Sequence, residues 1–501
     1  MKTHTISQVP SSTPVDSLLS FTAQAYTSPD PAQLATLAVA YVRCLNRSHR
    51  LLATVEGLVM SDLRLVSTIA GMDCLVLLGK TYTDIGQPRR AWMIWRKGLA
   101  IAQMMVRGDL LDVRRAQLTR TAIQNLHRLD LNTPGTRQRI WWAIYHGDRF
   151  TSLLLNLPPG FNDAHLEQSL EHADRCDADS WLAKFIHNCA VMAGGAIDSS
   201  MTRPSFAKAM LLDEKMDAIY NSAPSSWWHA ALGDDQLKSR MQLQELVERL
   251  LIHIFFFHIR MYIHLPLLKS TSDQRPDQQH KGAVSRRACG GAAHQILYRY
   301  FLLRTDVDGH SLFDCKTTDF VAFTAAVVIL ITRDTLQHSP VHPEDDGLDL
   351  VQEAYKLFQA AEEKEPGCKL TVQCRVALSV LLGHVEDGTD ETQEITIPYF
   401  GKVLRRRVSH APHTIEETDG GDRLARDISG PAEPSVNIAA DSRSSSWADG
   451  FNIDFTELQV PSIWDESMGG DEGIGGMNAS SPSWFDMASL DIDQDWSLFD
   501  I

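Results

Sequence analysis

The stretch that decides the fold lies at residues 137–159 and reads RQRIWWAIYHGDRFTSLLLNLPP. Spacings of three and four residues bring four large apolar side chains onto or near one face of a helix: Ile140, Trp141, Ile144 and Tyr145. Trp142 lies outside this stripe, so a second structural element must pack against it. A helix that is apolar on most sides is buried, so the stretch predicts a core helix. Pro158 and Pro159 end it, because proline has no amide donor.

The polar end of this helix carries His146, Asp148 and Arg149. A charge inside a core is costly unless it is paired and hydrogen-bonded. One interpretation makes Asp148 or His146 an acid–base catalyst. The other makes the group a satisfied polar cluster at the end of a core helix. We favour the second interpretation, because structural ion-pair networks, and not only active sites, place charged residues in apolar helices.

Four segments of different composition follow one another along the 501 residues. Residues 1–30 are rich in Ser, Thr and Pro, which is typical of a flexible arm. Residues 31–385 show helical spacing of apolar residues and almost no strand patterns, so we predict one large all-α domain. Residues 386–443 are predicted to form a polar linker. Residues 444–501 are predicted to form an acidic tail that is disordered.

The tail at 444–501 combines acids with aromatics and contains no Lys or Arg. It supplies 12 of the 63 acidic residues, which leaves the rest of the chain close to neutral. Alternating acids and bulky apolar residues are typical of activation domains, whose aromatics enter a groove on a transcriptional coactivator. An acidic tail whose only role is to keep the protein in solution is normally poor in aromatics. The residues selected for activation are Trp484, Phe485, Trp496 and Phe499.

A basic cluster, KVLRRR at 402–407, lies in the predicted linker. Its cations are Lys402, Arg405, Arg406 and Arg407. Clusters of this kind are typical of nuclear import signals, so we predict a nuclear protein. A second interpretation is that the acidic tail folds back onto this cluster.

The stretch RQRIWWAIYHGDRFTSLLLNLPPGFND at 137–163 resembles the signature of the fungal-specific transcription factor domain, the middle regulatory region of zinc-cluster transcription factors. The resemblance extends over about residues 40–385. It implies an all-α regulatory domain, a homodimer or heterodimer, and control of a gene set such as a specialised-metabolite biosynthetic cluster. The residues that match the signature are Arg139, Trp141, Trp142, Tyr145, Asp148, Arg149 and Pro158.

The cysteines depart from the pattern of that family. Residues 1–43 contain no cysteine, and none of the eight cysteines forms a CxxC pair. A zinc cluster requires closely spaced thiolates to surround each metal. We therefore expect no metal and no other cofactor in this sequence, and contact with DNA only through a partner or through an N-terminal module outside it.

An enzymatic alternative rests on DDGLD at 345–349, which fits the DDxxD pattern of all-α isoprenoid enzymes that hold magnesium. The residues concerned are Asp345, Asp346 and Asp349. Nearby prolines and Gly347 favour instead a loop and the acidic first turn of a helix, where carboxylates complement the helix dipole. A further alternative is a scaffold or corepressor of the same fold, whose tail recruits nothing.

Two further features concern the interior. His253, His258 and His264 lie in one apolar run without a partnering acid at helical spacing, so we predict core or interface histidines rather than metal ligands. The apolar run at 320–332 has 13 residues, whereas a membrane span requires about 20. We therefore expect no membrane association.

Overall fold

The computed structural model describes most of the chain from residue 15 to residue 383 and three short segments beyond it. The described ranges are 15–44, 49–110, 134–161, 181–229, 240–270, 276–304, 306–307, 310–336, 347–365, 368–383, 393–397, 401–407 and 451–454.

The described residues form a helical domain. Its first half contains α1 (Val15–Thr27), α2 (Pro31–Cys44), α3 (His49–Val55), a π-helical turn (Glu56–Met60), α4 (Leu63–Val66), α5 (Ile69–Asp84), α6 (Pro88–Leu110) and α7 (Pro134–Leu155). Its second half contains α8 (Trp181–Ser200), α9 (Phe206–Ser222), α10 (Ser225–Trp228), α11 (Arg240–His264) with a 3-10 extension (Leu265–Ser270), α12 (Pro276–Arg304), α13 (Lys316–Leu336), α14 (Leu348–Lys364) and α15 (Lys369–Leu382). The predicted all-α class is confirmed.

Two hydrophobic cores lie along the domain, and α7 contributes to both. The first core joins α2, α3, α5 and α6, and it includes Ile140, Trp141 and Ile144 from the start of α7. The second core joins helices α8 to α15 and takes in Leu153 and Leu154 from the end of α7. The quoted stretch therefore supplies the helix that connects the two cores.

The second core is organised around α13. Residues 315–329 of this helix and its preceding turn are all buried, and α13 packs against α12, α14, α15 and α5. At its N-terminal end the Thr317 hydroxyl donates to the Thr83 carbonyl at the end of α5. This bond joins elements 234 positions apart and closes the second half of the domain onto the first.

Helix boundaries follow the local chemistry of the chain. Thr68 caps α5 by accepting a hydrogen bond from the Gly71 amide at 3.0 Å. Gly383 ends α15 in a left-handed conformation with φ of 82°, which glycine adopts without a steric penalty. Gly347 precedes α14 with φ of 74°. The polar cap and the glycines at these positions set the ends of the helices.

Short strands add to the helices. β1 (Asp306–Val307) and β2 (His310–Ser311) pair, and β3 (Gln393–Ile397), β4 (Gly401–Arg407) and β5 (Phe451–Asp454) form an antiparallel sheet in the order β3-β4-β5. The sheet occupies ranges for which the sequence predicted a polar linker and a disordered tail. The β-branched residues in QEITI at 393–397 favour a strand, although the polar residues around them are typical of a linker.

α11 and the start of its 3-10 extension, over Leu243–Leu268, are long and apolar enough to cross a membrane by length and composition alone. In an 18-residue window of this span 61% is buried in the fold, and α12, α8 and α9 pack on the helix. Such burial is typical of a core helix. The histidines predicted to be core residues are buried here: His253 and His264 are fully enclosed, and His258 is 3% exposed.

Burial controls the charge of two of these histidines. It lowers the pKa of His253 to about 2, with Arg299 and Arg249 contributing, and that of His258 to about 4. His253 packs parallel to the Trp228 ring at 4.8 Å, and neither ring nitrogen has a hydrogen-bond partner among the described residues. Both imidazoles are therefore neutral in the folded protein at physiological pH.

This burial predicts that the domain loses stability in mild acid. The unfolded chain takes up protons below a pKa of about 6.5, whereas the folded chain does not, so stability falls as the pH decreases. Between pH 7 and 5.5 each histidine accounts for a loss of about 1.3 kcal/mol. Denaturant unfolding at both pH values measures it.

The variant His253→Phe keeps the aromatic contact and removes one titrating group. It is expected to reduce the difference in unfolding free energy between the two pH values by the contribution of His253, which is about 1.3 kcal/mol. His280→Phe, at an exposed position, is the matched control and leaves the difference unchanged. An unaltered pH dependence in His253→Phe would show that its imidazole does not titrate on unfolding.

Candidate functional site: the Trp-Trp and Asp-Arg helix

α7 lies unusually close to its neighbours at one point. A Cβ added at Gly147 would lie 2.5 Å from the Trp95 ring of α6, and one added at Gly79 of α5 would lie 2.6 Å from the same ring. Trp95 is 2% exposed. Two glycines thus allow three helices to close around a single indole, which fixes the depth at which α7 sits.

The two tryptophans of the motif pack against different parts of the domain. Trp141 belongs to the first core and meets Phe161 edge-on at 5.7 Å. Trp142 stacks with His146 at 5.7 Å and meets His187 of α8 at 4.9 Å. The second neighbour that the sequence required for Trp142 is therefore α8, which belongs to the other half of the domain.

Asp148 lies in a buried ion pair with α6. Its Oδ1 is 2.9 Å from Arg96 Nε, and its Oδ2 accepts a hydrogen bond from the Gly160 amide at 2.9 Å. The Asp148 side chain is fully buried. Burial raises the pKa of this carboxyl group, while Arg96 and the Gly160 amide oppose that rise. Both carboxylate oxygens are occupied by protein groups.

Arg149 points to the loop that follows the helix. Its guanidinium donates to the Phe161 carbonyl at 2.5 Å and lies over the Tyr145 ring at 5.0 Å. The side chain is only 1% exposed. Asp148 and Arg149 therefore hold the same loop at two successive residues.

The loop at 156–161 is held from α6 as well. Arg96 also donates to the Pro158 carbonyl and lies over the Trp92 ring at 4.5 Å. The Trp92 indole in turn donates to Ser152 at 3.0 Å. Asn156 has a positive φ of 50°, which asparagine tolerates better than most residues. The arrangement clamps α6, α7 and the loop into one unit.

The chemistry available to this cluster is limited. Burial and the nearby His187 and Lys80 lower the pKa of His146 to about 3, so its imidazole is uncharged at neutral pH. Among the described residues no group of His, Cys, Asp or Glu has the arrangement to hold a metal ion. The cluster has the composition of a packing and hydrogen-bonding centre.

The sequence did not identify Arg96, Gly160 and Phe161 as partners of the motif. Trp92 and Arg96 are four residues apart on α6, a spacing that indicates a cation over an aromatic ring on one helix face. The pairing of Arg96 with Asp148 spans 52 positions and has no local signature.

The remaining selected residues lie elsewhere. Asp349 is exposed in the first turn of α14, while Asp345 and Asp346 lie outside the described residues. The basic cluster falls in β4, and its side chains are outside the description. The four selected aromatics of the tail, at 484, 485, 496 and 499, also lie outside it.

Comparison with curated proteins gives fungal relatives. The chain is 26% identical over 291 residues to transcription factor sdnS of Sordaria araneosa, covering 56% of the chain and 35% of the relative. It is 26% identical over 272 residues to a dehydrocurvularin biosynthesis regulator of Aspergillus terreus, covering 54% and 35%. It is 24% identical over 402 residues to probable transcription factor gsfR1 of Penicillium aethiopicum, covering 74% and 55%.

These relatives define the class to which the chain is similar: fungal transcription factors and regulators of biosynthesis. They are regulators, not enzymes. The chain spans between about a third and about half of the length of the relatives it matches. No protein-family model matches the chain, and no solved structure matches it significantly.

Removal of one partner of the ion pair is expected to lower the free energy of unfolding strongly. Asp148→Asn leaves the Arg96 guanidinium without its counter-charge in a largely buried position, which is expected to lower the unfolding free energy by about 3–5 kcal/mol. Chemical denaturation measures it. Asp217→Asn is the control, because this carboxylate also pairs with an arginine but has a side chain 55% exposed. Equal losses in the two variants would contradict a buried clamp.

The close approach at Gly147 predicts opposite effects for two similar substitutions. Gly147→Ala places a methyl group against Trp95 and is expected to destabilise the domain by about 1–3 kcal/mol. Gly291→Ala, inside α12 where a Cβ meets nothing within 4 Å, is expected to stabilise it by about 0.5–1 kcal/mol. Thermal unfolding of both variants checks the pair. A neutral Gly147→Ala would mean that α7 can move away from α6.

Proposed function

We propose that this protein is a fungal transcription regulator that activates a gene set such as a specialised-metabolite biosynthetic cluster. The observation that carries the proposal is the similarity to three regulators, one of which is named for the biosynthesis of dehydrocurvularin. The helical domain supplies a rigid regulatory body. The clamp on α7 serves in it as a structural element rather than as a catalytic centre.

Activation is assigned to the acidic-aromatic tail at 444–501. Twelve acids without a single base repel one another, which disfavours collapse of the eight aromatics into a core of their own. Aromatics kept accessible in this way can enter an apolar groove on a coactivator as a short helix induced by binding. The tail thus provides the contact with the transcription machinery.

Location and DNA contact follow from the same function. The basic cluster at 402–407 is proposed as the import signal that brings the protein to the nucleus. DNA is contacted through a partner, in a homodimer or heterodimer, or through a module outside this sequence. The relatives are considerably longer than the matched region, which supports the assignment of DNA binding to a separate module.

A non-activating scaffold or corepressor is the second candidate. The same helical domain and the same relatives support it, because a regulator of biosynthesis can act in either direction. The composition of the tail favours activation, since a purely solvating acidic tail does not require eight aromatics.

A fusion experiment distinguishes the two candidates. Residues 444–501 joined to a neutral DNA-binding module are expected to activate a reporter gene. Replacing the four selected aromatics, at 484, 485, 496 and 499, by Ala removes the apolar contacts and is expected to lower the signal by about tenfold or more.

The control replaces Ser480, Ser481 and Ser483 by Ala, in the same region of the tail and without loss of an aromatic. It is expected to leave reporter activity unchanged. An inactive parent fusion would favour the scaffold, and full activity in the aromatic variant would exclude the proposed groove mechanism.

A further inference from the structure

Arg299 of α12 is a buried cation that forms no ion pair with a carboxylate of the described residues. Only 4% of its surface is exposed. Its guanidinium donates to the carbonyl and the side-chain oxygen of Gln295, at 3.1 and 2.6 Å, whereas its buried Nε has no hydrogen-bond partner in the described ranges. Burial lowers the pKa of Arg299 to about 10, so the group stays charged at neutral pH. Such a charge is costly unless an anion pairs with it.

A second buried polar group lies near this cation. His253 of α11 is fully enclosed, and neither of its ring nitrogens has a hydrogen-bond partner in the part of the chain that the structure describes. Among the charges that lower its pKa, that of Arg299 acts most strongly. Because the imidazole is neutral, it carries one N–H donor. Two basic side chains in the core thus offer donors that no described acid accepts.

Aromatic rings join these two groups into one cluster. The Arg299 guanidinium lies over the Phe257 ring at 4.6 Å, and the Trp228 ring meets Phe257 edge-on at 5.8 Å. Trp228 stacks with His253 at 4.8 Å and with Tyr220 at 4.2 Å. His253 and Phe257 are four residues apart, so they share one face of α11. We call Tyr220, Trp228, His253, Phe257 and Arg299 the Arg299 cluster.

The cluster reaches the surface of the domain at two tyrosines. Tyr220 of α9 is 36% exposed, and Tyr298, whose ring centre lies 6.0 Å from the Arg299 guanidinium, is 50% exposed. Gln295, which binds one side of the guanidinium, is exposed as well. The Trp228 indole donates to the Tyr220 carbonyl at 3.2 Å, which keeps α9 against the cluster. A solute can therefore approach Arg299 from the side of Gln295 and Tyr298.

The chemistry of these groups defines the kind of ligand that fits them. The phenols of Tyr220 and Tyr298 are close enough to act on the pKa of Arg299, so their hydroxyl groups add two donors to those of the cation and the imidazole. A carboxylate brings one negative charge against one positive charge and accepts from several donors, and a guanidinium matches its geometry. The surrounding rings favour a flat apolar body, because aromatic faces and edges attract one another.

We propose that the Arg299 cluster binds a small molecule that carries a carboxylate on a planar aromatic ring. The carboxylate pairs with the Arg299 guanidinium and accepts hydrogen bonds from His253 and Tyr298, while the ring packs against Tyr220. Tyr298 rotates aside as the ligand enters, which an exposed side chain does within nanoseconds. The proposal concerns binding alone and does not rest on the proposed function.

Titration calorimetry of the purified full-length protein with 2-naphthoate tests the site. We expect saturable binding of one molecule per chain, together with a rise in the unfolding temperature, because the ligand binds the folded state. Two matched probes separate charge from shape. 2-Naphthamide keeps the ring and lacks the charge, and acetate keeps the charge and lacks the ring. Each is expected to bind about tenfold more weakly or worse.

Substitutions on α12 locate the binding. Arg299→Met keeps an apolar stem and removes the cation, so it is expected to weaken 2-naphthoate binding about 10- to 100-fold. Arg287→Met, at an exposed position of the same helix, is the matched control and leaves the affinity unchanged. Tyr298→Phe removes one hydroxyl group from an exposed residue and weakens binding about two- to tenfold. This variant tests the site even where Arg299→Met fails to fold.

Ligand-free protein provides a readout that distinguishes a binding role from a structural one. Arg299→Met is expected to unfold at the same temperature as the parent or higher, because it removes a buried charge without a counter-charge. A clear fall would mean that the protein itself satisfies the cation, and would overturn the site. Three binding results overturn it as well: no saturable binding of 2-naphthoate, equal binding of 2-naphthamide, or undiminished binding to Tyr298→Phe and Arg299→Met. Acetate that binds as tightly as 2-naphthoate would exclude the aromatic ligand.

Discussion

The ion pair between Asp148 and Arg96 is the interaction on which the rest of the domain depends. Both groups are withdrawn from most solvent, so their attraction acts in a medium of low polarity, and the Gly160 amide completes the coordination of the carboxylate. A buried charge with all its partners present fixes one geometry, because every displacement leaves a polar group unsatisfied. Here that geometry sets the relative position of α6, α7 and the loop after it.

The position of α7 then determines how the two halves of the domain meet. Its first turns belong to one hydrophobic core and its last turns to the other. Between them Trp142 reaches across to His187 on α8. A single helix with two apolar ends and a polar clamp can therefore hold the two cores at a fixed separation.

Sequence patterns located the helices and the buried histidines, since both depend on spacing within a few turns. The burial of His253 and His258 follows from the apolar run that surrounds them. The partners of Asp148 and Arg149 could not be predicted in the same way, because Arg96 is distant in the chain and Gly160 and Phe161 contribute main-chain atoms. Such contacts carry almost no signature in residue type. The strand at 393–397 is not predicted for another reason: the polar composition around it outweighs its short alternation.

The hydrogen bond from Thr317 to the Thr83 carbonyl has a consequence for biosynthesis. At a translation rate of about 5–20 residues per second, the 234 positions that separate the two residues correspond to at least about ten seconds. During that interval the first core can form on the ribosome while the surface of α5 that later receives α13 is still bare. The order of synthesis therefore leaves this surface of α5 exposed in the nascent first half until α13 has been made.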